Sequence, residues 1–207
     1  MRVYKLIPIC LCLFLLTAQA HAALVHPDKD FSLYAPDGWT ILNGNIASKT
    51  PAPVKRMLDC SDNSSVELKQ LGWKGGPNGE VLGAYCISYK KSGFGKVRES
   101  LKSSTGKERE SLSSKYVDSI AGGIQLGYGK KRQMKVIHIS GDLFEAGPDL
   151  IMVMDGQIED GGELFIRSST VFLHGDAQLS IDWVRGMDAA ADVVTALESM
   201  PVTLEWK

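Results

Sequence analysis

From Met134 to Val184 the chain carries four strand patterns in succession, Met134–Ser140, Leu150–Ile158, Glu163–Leu173 and Gln178–Val184, joined only by Gly-Pro, Asp-Gly-Gly and His-Gly-Asp turns. A parallel neighbour would need a crossover of a dozen residues or more, so connections this short make consecutive strands antiparallel. The carboxy-terminal half is therefore committed to an antiparallel sheet, and the rest of the chain must pack on it.

Upstream, Phe31 and Leu33 alternate with Ser32 and Tyr34 as a half-buried strand does. Ala35-Pro36-Asp37-Gly38 then supplies a turn, and Trp39, Ile41 and Leu42 carry the chain onward. Asn43 to Asp59 has no firm period and reads as loop with a short helix at Val54–Leu58. Val66–Leu68 alternates as a strand, Gly75-Gly76-Pro77-Asn78-Gly79 as a loop, and Val81–Tyr89 as a clearer strand. In that strand Tyr85, Ile87 and Tyr89 share one face and Cys86 takes the other.

The period then changes from two to nearly four. Leu112, Tyr116 and Ile120 recur at helical spacing with Val117 beside them, behind a solvated start at Lys107–Glu110. Thr105 and Glu108 have capping-box spacing, and Gly122-Gly123 predicts the helix end. A shorter helix over Lys96–Ser103 precedes it. A closing helix, Asp188–Ser199, places Ala190, Val194 and Leu197 on one face, and Pro201 bars its continuation. With neither strict strand-helix alternation nor any repeat, the fold class is α+β: a central, mostly antiparallel sheet with helices packed on its faces.

The amino terminus predicts export. Arg2 and Lys5 precede an uncharged run, Leu6–Thr17, of about 12 residues, too short for a bilayer that needs roughly 20. Ala20-His21-Ala22 offers small residues at the two positions a signal peptidase admits, which sets the cut between Ala22 and Ala23. Cys10 and Cys12 lie within the apolar run and not at the cut, which argues against lipidation. Residues 1–22 are thus a signal peptide and 23–207 a single domain in the periplasm or outside the cell. Without Arg2 and Lys5 the mature chain has 21 basic and 24 acidic residues, a net charge of −3. That balance gives no nucleic-acid footprint, and no later stretch is long and apolar enough to span a membrane. Two cysteines remain, Cys60 and Cys86. An even pair in an oxidising compartment predicts a structural disulfide closing a loop of about 27 residues.

Catalytic signatures are scarce. The chain has no Gly-x-Ser-x-Gly elbow and no Ser-x-x-Lys motif of the penicillin-binding type, for which the accompanying Lys-Thr-Gly is missing. Gly93-Phe94-Gly95-Lys96 and Gly127-Tyr128-Gly129-Lys130 lack the full spacing of a nucleotide loop and read as turns. His26, in a leading segment, His138, in a strand, and His174, at a hairpin turn, are each without a second histidine three or four residues away. The acidic group Asp155, Glu159, Asp160 and Glu163 has oxygens for a hard cation, but the sixth position of a twelve-residue calcium loop would be Asp160 where glycine is needed. It reads as a solvated hairpin tip. No catalytic, cofactor or metal residues are assigned.

The opening Phe31-Ser32-Leu33-Tyr34-Ala35-Pro36-Asp37-Gly38-Trp39, just after an export signal, resembles the start of PsbP-like and DcrB-like proteins. The far end is similar too: a long strand to Leu173, the strand Gln178–Trp183, and a last amphipathic helix ending in Ser199-Met200-Pro201. The resemblance implies a compact α/β/α sandwich used as an accessory or binding module. Asn43–Gly79 and the cysteine pair match no part of that pattern. The expected function is an exported, non-catalytic binding protein of the bacterial periplasm that takes a protein partner or a small envelope ligand. A narrower version is an inhibitor or immunity protein against an envelope-acting toxin. The rival class is a divergent hydrolase built on His174 and the acidic hairpin.

Overall fold

The computed structural model describes residues 22–43, 49–58, 67–131 and 133–207. The uncharged run of the signal peptide, Cys60 and the first residue of the Val66–Leu68 strand lie outside the described residues. Among the described residues there are ten strands: β1 (Ala22–Asp28), β2 (Phe31–Pro36), β3 (Thr40–Asn43), β4 (Glu67–Gly75), β5 (Val81–Lys90), β6 (Lys135–Ala146), β7 (Asp149–Asp160), β8 (Glu163–His174), β9 (Ala177–Gly186) and β10 (Glu205–Trp206). Among the described residues four α-helices accompany them: α1 (Ala52–Met57), α2 (Gly95–Ser103), α3 (Gly106–Gln125) and α4 (Ala191–Ser199). The class is α+β, as the four consecutive strand patterns require.

Seven strands form one antiparallel sheet in the order β3-β4-β5-β9-β8-β7-β6, and β1-β2-β10 form a small second sheet. On one face of the large sheet, α1 covers β4 and β5 through Val54, Met57, Leu71, Ala84 and Cys86. Beside it α2 and α3 cover β6 to β8, with Leu101, Leu112, Tyr116 and Ile120 against Leu150, Met152, Met154 and Val171. On the opposite face, α4 and the small sheet cover β5 and β9. Phe31 and Leu33, both fully buried, meet Tyr85, Ile87, Leu179 and Ile181 there, joined by Val193, Leu197 and Met200. A Cβ at Gly83 would stand 2.9 Å from Val193 Cγ1, so glycine on β5 is what lets α4 sit this close to the sheet. Lys69 of β4 binds Asp28 of β1 at 2.6 Å, and the Tyr89 hydroxyl donates to Asp30 at 3.1 Å, fixing the small sheet to the large one. Burial, and then that hydrogen bond, push the Tyr89 phenol up to about 12.

Several local expectations need correction. α3 does not stop at Gly122-Gly123 but runs to Gln125 and passes into a π-helical turn, Leu126–Lys131. Glycine inside a helix costs only about 1 kcal/mol. Ile124 packs into the core beyond those glycines, and the buried Tyr128 donates its hydroxyl to Met57 O at 2.8 Å. Thr105 is the N-cap residue of α3 but makes no side-chain capping bond. Gly93–Lys96, read as a turn, runs into α2 from Gly95, whose N–H donates to Asp176 Oδ1 at 2.6 Å, so a carboxylate of the β8–β9 turn occupies the anion position there. The backbone N–H groups of Gly95 and then Gly93 hold the Asp176 carboxyl below its ordinary range. The segment holding His26 is a paired strand, β1, and α4 begins three residues later than expected.

Candidate functional site

Because α4 and the small sheet cover only β5 and β9, the same face of β6, β7 and β8 is left open. The chain after α4 forms a 3-10 turn, Met200–Thr203, and then β10, and this segment runs along the flank of the open area as a wall. Together they enclose a groove of about 820 Å³, within the roughly 300–1,000 Å³ of small-molecule sites.

Strand register lays out the floor in rows, since directly opposed residues share a face. The first row, Phe144, Ile151, Phe172 and Leu179, is wholly apolar. The second is Asp142, Val153, Thr170 and Ile181, and the third is Ser140, Asp155, Ser168 and Trp183. The fourth, His138, Gln157, Ile166 and Arg185, is largely polar. Rows lie two residues apart along each strand, about 7 Å. The groove therefore grades from an apolar end to a polar one. Val202 on the wall is 76 % exposed and Phe144 on the far rim 46 %, so apolar surface reaches the opening.

At the apolar end the wall is anchored through one carboxylate. Asp149 Oδ2 accepts the Trp206 indole N–H at 3.1 Å, while Asp149 Oδ1 lies 2.6 Å from His174 Nδ1. The His174 ring stacks on Trp206 with centroids 4.5 Å apart and planes at 18°. At the polar end Arg185 Nη2 stands 3.9 Å from Glu198 Oε1 on α4.

The structure separates the residues that the hydrolase reading would combine. His174 and Asp149 sit at one end of the β7–β8 hairpin and Glu159, Asp160 and Glu163 at the other, ten residue steps or about 33 Å along β7. Asp160 is held by Arg56 of α1, and Glu159 lies 3.4 Å from Lys135. Asp155 projects to the opposite face from Asp160 and into the groove. Among the described residues no group of three His, Cys, Asp or Glu is placed to hold a metal, so the acidic group does not form the cation site considered above. Among the described residues the only hydrogen-bond partner of the His174 ring is Asp149, and no hydroxyl is poised there as a nucleophile. Cys86 is fully buried on the α1 side of β5.

No protein-family model matches the chain, and no curated protein sequence matches it. Solved structures do. The solution structure of cyanobacterial PsbP (CyanoP) from Synechocystis sp. PCC 6803 aligns with a TM-score of 0.57 at 8 % identity, over 91 % of this chain and 94 % of that one. The fold is PsbP-like. LpqN of Mycobacterium tuberculosis, described as involved in cell envelope biogenesis, aligns with a TM-score of 0.42 at 12 % identity, over 89 % of each chain. At 8 % identity the PsbP-like architecture is what this chain shares with the cyanobacterial protein, and it carries no residue roles with it.

The resemblance at Phe31–Trp39 was thus a legible sign of the fold, whereas the groove was not read from sequence. Ser168 and Thr170, small hydroxyls on one face in the middle of a long strand, were the available signal. Both are nearly buried, at 4–5 % exposure, yet neither fills the space above the sheet as a large side chain would.

Proposed function

We propose that the protein is an exported, non-catalytic binding module of the bacterial envelope that holds a small ligand in the groove on the open face of β6–β8. The groove itself carries the reading: it is roomy, lined by Ile151, Val153, Phe172, Trp183 and Trp206, and has polar groups only at defined positions, the usual make-up of a small-molecule site. Of the two kinds of partner expected from sequence, this shape supports the small ligand over a flat protein contact. The leader features at Arg2–Ala22 support export, and the PsbP-like fold suits an accessory role.

One preparation tests both halves. Protein recovered from the periplasm is expected to begin at Ala23 and to enhance the fluorescence of the neutral apolar dye N-phenyl-1-naphthylamine. Val153→Trp, which fills the groove from its floor, should weaken that binding at least tenfold with an unchanged circular dichroism spectrum. A full-length chain retained in the cytosol would overturn export, and dye binding indifferent to Val153→Trp would overturn the groove.

A further inference from the structure

We infer that the groove selects an amphipathic amine: a ligand with an apolar body and a primary ammonium group that binds Asp155. The inference rests on the groove being the ligand site and adds the chemistry of what enters it. Three carboxylates line the groove, and two have partners. Asp149 is engaged by His174 and the Trp206 indole, and Glu198 faces Arg185. Asp155 has no cation within 4.0 Å and no hydrogen-bond donor among the described residues, although it stands in the centre of the floor. Lys135, the one lysine of β6, is taken up by Glu159. Asp142, in the adjoining row, adds further negative charge.

The physical consequence concerns what happens when a ligand covers this floor. A neutral or anionic ligand would strip water from Asp155 and leave a buried carboxylate unpaired, which is strongly unfavourable. A cation at the same place replaces that water with a charge-assisted hydrogen bond, the stronger kind. Ser140 and Ser168 oppose Asp155 on the neighbouring strands, so their hydroxyl oxygens flank the carboxylate. Three acceptors around one point suit the three donors of a primary ammonium and would be wasted on a quaternary one. From Asp155 the floor runs four residues to Ile151 and the apolar row, roughly 13 Å at 3.3 Å per residue, which accommodates an alkyl or aromatic tail ending against Phe144, Phe172 and Trp206.

Isothermal titration of residues 23–207 with octylammonium, octanol and octanoate, each below its aggregation concentration, tests the inference. Octylammonium is expected to bind at least tenfold more tightly than octanol, and octanoate more weakly still. Asp155→Asn should remove the preference for octylammonium while leaving octanol affinity within twofold. Asp155 is solvent-facing in the free protein, so that variant should fold normally, and an unchanged thermal melt checks it. Equal affinities for the three probes, or a preference that survives Asp155→Asn, would overturn the amine inference while leaving the groove in place. Failure of all three to bind would overturn the groove together with it.

Discussion

Asp182→Ala is expected to destabilise the protein by about 3 kcal/mol, the lower part of the range for breaking a buried ion pair, because it strands Arg167 inside the fold. Arg167 of β8 is 3 % exposed and its Nη2 donates to Asp182 Oδ1 of β9 at 3.1 Å. Among the described residues its Nε and Nη1 have no hydrogen-bond partner, and the guanidinium lies 5.6 Å from the centroid of the Tyr128 ring. The aspartate side chain is itself 25 % exposed, which is why the lower part of the range applies. Removing the charge on the other side should behave differently. Arg167→Met keeps an unbranched stem against Tyr128 and Val184 and deletes the two unpaired donors, so its cost should be less than 1 kcal/mol or its effect stabilising. Urea melts of the two variants read the asymmetry directly. Equal costs would contradict it.

Loss of the Cys60–Cys86 bridge, which we propose from compartment, parity and position, should lower stability by about 2 to 4 kcal/mol on replacing both cysteines by serine. Cys86 is fully buried among Val54, Leu58 and Leu71, on the side of β5 that α1 covers, and Cys60 follows Leu58 by two residues. A bridge there would join the chain after α1 to the centre of the large sheet. The serine at position 86 would also bury a hydroxyl, so the double alanine variant separates that cost from the loss of the bridge. In both, β6–β9 and α4 should stay folded, because their contacts lie in other parts of the core. Mass spectrometry of the non-reduced mature protein checks the premise: two free thiols per chain would refute the bridge, and an intermolecular link would point to a covalent dimer.

How far the sequence could be read follows from what each signal depends on. β6 to β9 were legible because turn chemistry and alternation are local, and short turns leave antiparallel pairing as the one geometry. The face assignment in β5 was equally legible, with Tyr85 and Ile87 on the α4 side and Cys86 on the other. β10 was missed because its partners, β2 and Asp149, are far away in sequence, and β1, although it pairs with the neighbouring β2, is tied to the large sheet through the distant Lys69. Extension of α3 past Gly122-Gly123 was missed for a similar reason, since tertiary burial of Ile124 and Tyr128 outweighs a local glycine signal. Asp155 was noticed, but with the wrong neighbours. Sequence proximity grouped it with Glu159, Asp160 and Glu163, while strand alternation and pairing placed it between Ser140 and Ser168. The open face itself could not be seen in advance, because it depends on how far α4 and the small sheet reach across the large one.

The claim that this open face is the ligand site is tested most directly by amide and indole nuclear magnetic resonance spectra of residues 23–207 titrated with octanol, a probe that makes no demand on charge. Saturable shifts gathered at Ser140, Val153, Asp155, Ser168, Thr170 and the Trp206 indole N–H, with α1 and β4 unmoved, are the expected result. Shifts centred on α1 and β4, or spread without saturation over the whole surface, would contradict it.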